Sequence, residues 1–187
     1  MEWVDPGQVL INLRWLELNL PAGLDDKVRR FRTNKLKELR EARTAALFAY
    51  GMGKAVLQTP TAVAKVEAAD FDFIMRWQAD DKEFFYPVQL KELPPEDLNA
   101  DVTLEDLYDK LEKYSGVDNL SVLIHLNRAV RFDYHPWDRP TCPNILELWY
   151  LACTSEDQSK WLVYGSALKP DSRPYDFDYP TGEPNVA

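Results

Sequence analysis

The chain of 187 residues has little cysteine, histidine or glycine (two, two and seven residues) and less positive than negative charge, 22 Lys and Arg against 31 Asp and Glu. Each shortage excludes something. Cys142 and Cys153 are too few for the disulfide framework of a small secreted scaffold, and they show no zinc-ligand spacing with His125 and His135. The expectation is two reduced thiols in an intracellular protein. No run approaches the ~20 apolar residues of a membrane span, and the opening MEWVDPGQVL has no basic region followed by an apolar stretch. A cytoplasmic location without a membrane partner is therefore expected. A net charge of -9 argues against attraction to nucleic acid over the whole surface. There is no internal repeat or low-complexity segment, and the length suits a single domain, 1–187, with its own core.

The positive charge that is present is concentrated. Lys27, Arg29, Arg30, Arg32, Lys35, Lys37, Arg40 and Arg43 face only Glu38 and Glu41 between positions 27 and 43, a local net charge of +6 that leaves -15 for the remainder. Such asymmetry suggests a directed face, and Arg29, Arg30, Arg32, Lys35 and Lys37 are its candidate nucleic-acid contacts. The alternative is a solvated helix face laced with ion pairs.

Taken in order, residues 3–20 mix strand-like alternation with apolar excess and fit an edge strand, a short helix or a subunit contact. After Pro21-Ala22-Gly23, an Asp25 or Asp26 cap predicts a helix from about 27 to 50, its stripe formed by Val28, Phe31, Leu36, Leu39, Ala42, Ala46 and Leu47. A first strand over 62–67 leads to two strands, 70–77 and 84–91, around a polar tip at 78–83. Pro87 inside the latter suggests a bulge. Pro94-Pro95 ends that strand, Thr103 and Asp106 resemble a capping box opening a helix to about 114, and residues 120–126 read as a buried strand reached by a parallel crossover. His125 there is read as a satisfied core or strand-end histidine. His135, in an aromatic and proline-rich loop at 132–140, belongs either to a base-stacking surface or to a packed connection. Residues 145–153 and 160–165 predict a second hairpin, and the tail from Lys169 is expected to be extended or partly disordered.

The central hairpin carries the chemistry. Asp70 and Asp72 share one face of its first strand, and Gln89 and Lys91 one face of the second. Antiparallel pairing places the start of one beside the end of the other, so Asp72, Gln89 and Lys91 are expected in one patch. Asp72, the side-chain oxygen of Gln89 and the carbonyl of Leu90, with Asp70 nearby, could hold Mg²⁺ or Mn²⁺. The ammonium of Lys91 could then orient or deprotonate water and stabilise phosphate charge. The competing reading is a half-buried hairpin with a solvated face.

An aspartate followed across a hairpin by Gln-x-Lys, between two helices and before another strand, resembles the PD-(D/E)XK or restriction-endonuclease-like nuclease superfamily in its Gln-x-Lys variant. The resemblance spans roughly residues 27 to 127. The proline before the aspartate is missing, and Gln89 lacks the charge of a glutamate. The resemblance implies an α/β fold with an αβββαβ core, a mixed central sheet flanked by helices, here with an added C-terminal β-hairpin at 128–168 and a tail at 169–187. It also implies a helix carboxylate, for which Glu38 and Glu41 are the candidates, and metal-dependent hydrolysis of nucleic acid, more readily DNA. Cutting both strands of a duplex would favour a homodimer. The alternative within the same fold is a catalytically inactive component binding nucleic acid or protein in a larger complex.

Overall fold

The computed structural model describes residues 1–29, 31–66, 71–111, 114, 120–129 and 145–185. Among these, seven strands form one mixed sheet in the order of the chain: β1 (Thr61–Lys65), β2 (Phe73–Ala79), β3 (Lys82–Leu93), β4 (Ser121–Leu126), β5 (Glu147–Cys153), β6 (Lys160–Gly165) and β7 (Arg173–Asp178). β1, β2 and β3 are an antiparallel meander, β3, β4 and β5 run parallel, and β5, β6 and β7 are again antiparallel. The fold is α/β.

The N-terminal stretch resolves as a helix, α1 (Pro6–Leu18). Asp5 caps it by accepting from the Gln8 N–H at 3.0 Å, and Pro6 supplies a preset first turn whose missing donor is not needed there. These start signals outweigh the ambiguous apolar pattern. The helix expected over 27–50 is interrupted: α2 (Asp26–Arg29) is one turn, Phe31 takes φ 54° and turns into the core, and α3 (Lys37–Gly51) follows a short 3₁₀ turn. Leu47, Phe48 and Ala49 of α3 are fully buried between α1 and the sheet. Burial of a side chain such as Leu47 or Phe48 contributes ~1.5–3 kcal/mol. A π-helical turn at Met52–Val56 releases the chain into β1.

The β2–β3 hairpin closes through Asp80 and Asp81, both at positive φ (50° and 60°), the geometry whose twist matches paired strands. Its register runs without interruption from Ala79↔Lys82 to Phe73↔Val88, with Pro87 opposite Ile74. The bulge expected at Pro87 is absent. The Val88 carbonyl accepts from Asp72, so strand alternation turns the Pro87 nitrogen away from β2, one residue before β4 begins to pair at Val88. The proline removes no ladder bond there.

α4 (Leu104–Asp109) connects β3 to the parallel β4, opened by a Thr103–Asp106 capping box. From α3 to β4 the order is thus helix, three antiparallel strands, helix, parallel strand. One sheet face packs on α1 and α3 through Phe73, Met75, Val88, Leu123, Trp149 and Leu151. The other packs on α4 through Leu93, Val122, Ile124, Leu148 and Tyr150. Of the two alternatives expected for the tail, extended or partly disordered, the described residues take the extended one: β7 pairs with β6, Phe177 packs against Gly51, and the Tyr179 hydroxyl donates to the Leu10 carbonyl at 2.8 Å.

Candidate active site where β2 leaves β3

The β2–β3 ladder ends at Phe73↔Val88, while β3 continues to Leu93. One rung beyond, the Leu90 N–H and C=O point to the side that β2 has vacated. Asp72 fills the gap. Its own N–H donates to the Val88 carbonyl at 2.9 Å, and its carboxylate accepts the Leu90 N–H at 2.7 Å. The Gln89 amide donates to the same Asp72 oxygen and lies 3.3 Å from the Leu90 carbonyl. Gln89 is buried, at 7% exposure, so its amide needs these partners. The Asp72–Gln89 pair is the side-chain substitute for a missing rung of sheet.

Asp72 and Leu90 also line a cavity of about 160 Å³ under α3, together with Glu38, Glu41 and Lys65. Lys65 pairs with Glu38 at 3.1 Å and Lys37 with Glu41 at 3.3 Å. The helix carboxylates therefore reach the cavity that Asp72 borders, each already matched by an ammonium. Lys91 lies on the sheet face shared by Gln89 and Leu93, and Leu93 belongs to the α4-side core. Its Nζ sits 5.3 Å from the centre of the Tyr114 ring on that side. Asp72, Gln89 and Leu90 are thus in contact, Glu38 and Glu41 border the same cavity, and Lys91 is directed towards Tyr114.

The oxygens available for a cation are the Asp72 carboxylate, the Leu90 carbonyl and, after rotation of its amide, Gln89 Oε1. Among the described residues no three His, Cys, Asp or Glu side chains cluster to hold a metal. A site here would take one carboxylate, neutral oxygens and water, a composition within the habit of Mg²⁺. Asp70, the Arg30 position, the Arg29 side chain, His135 and Cys142 lie outside the described residues. Of the remaining basic candidates, Lys35 and Lys37 are exposed, whereas Arg32 is only 9% exposed in its side chain and is bound to Glu92 at 2.8 Å.

A second polar centre was not singled out by the sequence. Glu92, two residues beyond Leu90 and on the same face, binds Arg32 and Arg40 (3.6 Å), and accepts from Asn127 at 2.8 Å. Burial pushes the Glu92 carboxyl up, but the Asn127 hydrogen bond and Arg32 outweigh it and hold it below the ordinary value. His125 lies beside this group with Nδ1 3.3 Å from the Thr44 hydroxyl. Burial lowers it to about 4, Glu92 opposes that shift, and Arg43, Arg32 and Arg40 add to it, so the imidazole is neutral at pH 7. The alternation Leu90-x-Glu92 and the α3 spacing Arg40, Arg43, Thr44 were the sequence signals available for this centre.

No helix among the described residues is long and apolar enough to cross a membrane. Comparisons with protein-family models, with curated proteins and with solved structures find no match to this chain, so the site is read from its own geometry.

Proposed function

We propose that the protein is a metal-dependent hydrolase of nucleic-acid phosphodiester bonds, with its centre at Asp72, Gln89 and Leu90. The observation that carries this reading is the direct contact of the Asp72 carboxylate with both Gln89 and the Leu90 amide, beside a cavity that Glu38 and Glu41 also line. The helix, three-strand meander, helix, parallel-strand order from α3 to β4 supports it as well, being the arrangement implied by the restriction-endonuclease-like resemblance. Asp72 and the Leu90 carbonyl would hold Mg²⁺ or Mn²⁺, with Gln89 turning its oxygen inward and Glu38 or Glu41 contributing through water. The bound cation would supply Lewis-acid stabilisation of a phosphoryl oxygen and acidify water. The chain's own contribution is to fix Asp72 on the Leu90 amide and to shelter the site beneath α3. Lys35 and Lys37, exposed near the start of α3, are suited to phosphate contacts.

A second reading has an observation in its favour. Gln89 donates to Asp72 rather than offering it an oxygen, and Lys91 rests over Tyr114, as expected of an inactive member of such a fold retained for binding. The experiment that decides is cleavage of labelled single- and double-stranded DNA and RNA with Mg²⁺ or Mn²⁺, using the unaltered protein, Asp72→Asn and Lys91→Ala. The expected result is metal-dependent cleavage lost in Asp72→Asn and largely retained in Lys91→Ala, whose ammonium lies over Tyr114 rather than at the Asp72 centre. Absence of cleavage by folded protein across the panel overturns the hydrolase reading in favour of the inactive one.

A further inference from the structure

The carboxyl ends of the parallel strands β3, β4 and β5 open into a cavity of about 480 Å³, on the other side of α3 from the Asp72 cavity. Pro95 follows β3, Asn127 follows β4 and Cys153 ends β5, and all three line it. Open α/β sheets place ligands in the crevice outside the carboxyl ends of their strands. Four guanidiniums enter from three segments: Arg14 from α1, Arg32 from the turn before α3, and Arg40 and Arg43 from α3.

Their partners do not neutralise them. Glu17 meets Arg43 at 2.5 Å and Arg14 at 3.7 Å, and Glu92 meets Arg32 and Arg40. Among the described residues, four guanidiniums against two carboxylates leave an excess of +2, since the buried His125 is neutral. Arg43 gives one N–H to Glu17 and one to the Gln158 side chain, while its Nε is buried with no hydrogen-bond partner among the described residues. The Asn127 and Gln158 amides border the same space as neutral donors, and Trp161 and Phe31 close it with apolar surface.

We infer that this arginine-lined cavity binds the phosphate monoester of a small molecule. A phosphate monoester carries about -1.5 to -2 charges at pH 7, which matches the local excess. Guanidiniums arriving from different directions suit three phosphate oxygens, because each presents its donors in a planar fork. A volume of about 480 Å³ has room for the phosphate and a sugar-sized body, within the range of small-molecule sites. The assignment does not depend on hydrolysis at Asp72, since the two cavities share no lining residue.

Isothermal titration calorimetry of the full chain with inorganic phosphate, ribose 5-phosphate and malonate tests it, the dicarboxylate serving as a dianion without phosphate geometry. Arg40→Gln and Arg14→Gln are the variants, chosen because their side chains are 26% and 35% exposed, so their loss leaves a folded protein verifiable by circular dichroism. Saturable binding of ribose 5-phosphate, displaced by inorganic phosphate and weakened about tenfold or more in each variant, is the expected result. Saturation by inorganic phosphate alone would locate the free anion as the ligand and overturn the phosphorylated-molecule assignment. No saturation by either phosphate, equal binding of malonate, or unchanged binding in both folded variants would overturn the site. Loss of cleavage in Asp72→Asn with phosphate binding intact would show that the two sites stand or fall separately.

Discussion

Replacing Asp72 by alanine and by asparagine separates what this residue does for the sheet from what it does for chemistry. In Asp72→Ala the Leu90 N–H loses a charged acceptor at 2.7 Å and the buried Gln89 amide loses its carboxylate. A hydrogen bond to a charged group contributes ~1.5–3 kcal/mol, and a stranded buried donor costs ~1–3 kcal/mol. Gln89 keeps its 3.3 Å contact with the Leu90 carbonyl, so the second loss is partial. The expected destabilisation is about 2–4 kcal/mol, a fall in Tm of roughly 4–16 °C for a chain of this size. Asp72→Asn retains an oxygen for the Leu90 N–H, and Gln89 can rotate to accept from the new amide nitrogen, so its expected cost is below ~1 kcal/mol. Urea unfolding followed by tryptophan fluorescence measures both. An Asp72→Ala protein within about 0.5 kcal/mol of the parent, or an asparagine variant as unstable as the alanine one, would refute the view that Asp72 closes the open rung. If the ordering holds, Asp72→Asn is the folded variant whose cleavage and cation binding report on the metal site alone.

Three further perturbations follow from the same geometry. Gln89→Glu sets two carboxylates against each other beside Leu90, so the metal-free variant should be less stable than the parent and regain more Tm on addition of millimolar Mn²⁺; equal Mn²⁺ responses in thermal melts would count against a cation site there. His125 is lowered to about 4, below its unfolded value of 6.5, so the unfolded chain binds a proton first and stability falls as pH drops from 6.5 towards 4. Between pH 6.5 and 5 that slope amounts to about 2 kcal/mol; it should vanish in His125→Asn, and urea midpoints that keep the slope would place its origin elsewhere. Phe177→Ala should destabilise by ~3 kcal/mol because the ring is 8% exposed against Gly51 and Tyr50; a change under about 0.5 kcal/mol would mean that β7 does not hold the sheet edge.

What could be read from the sequence follows from how far each signal reaches along the chain. The β2–β3 hairpin, the Thr103 capping box, the buried β4 and the β5–β6 pair each depend on residues within a few positions of one another, and all four were legible. The α1 helix was not, because its apolar residues suit both periods and the decision rests on the Asp5–Pro6 start. β7 carried a signal that its prolines and aspartates obscured: Tyr175, Phe177 and Tyr179 recur every second residue, and Phe177 and Tyr179 are the buried ones. The candidate site divides in the same way. Antiparallel pairing was enough to bring Asp72 beside Gln89, since the hairpin turn sets that register locally. Period-two alternation was also enough to place Gln89 with Lys91 and Leu90 with Glu92. It could not tell which face lies under α3, because that depends on residues 31–36 turning the chain, with Phe31 at φ 54°, before the helix starts. The consequence is visible at β3. Leu90 borders the cavity shared with Glu38 and Glu41, Glu92 gathers Arg32 and Arg40, and Lys91 turns to Tyr114. Arg32, Arg40 and Arg43, three of the eight basic residues between positions 27 and 43, are thereby drawn inward into ion pairs with Glu92 and Glu17, while Lys35 and Lys37 stay exposed, so the positive charge of that run is divided between a cavity and the surface.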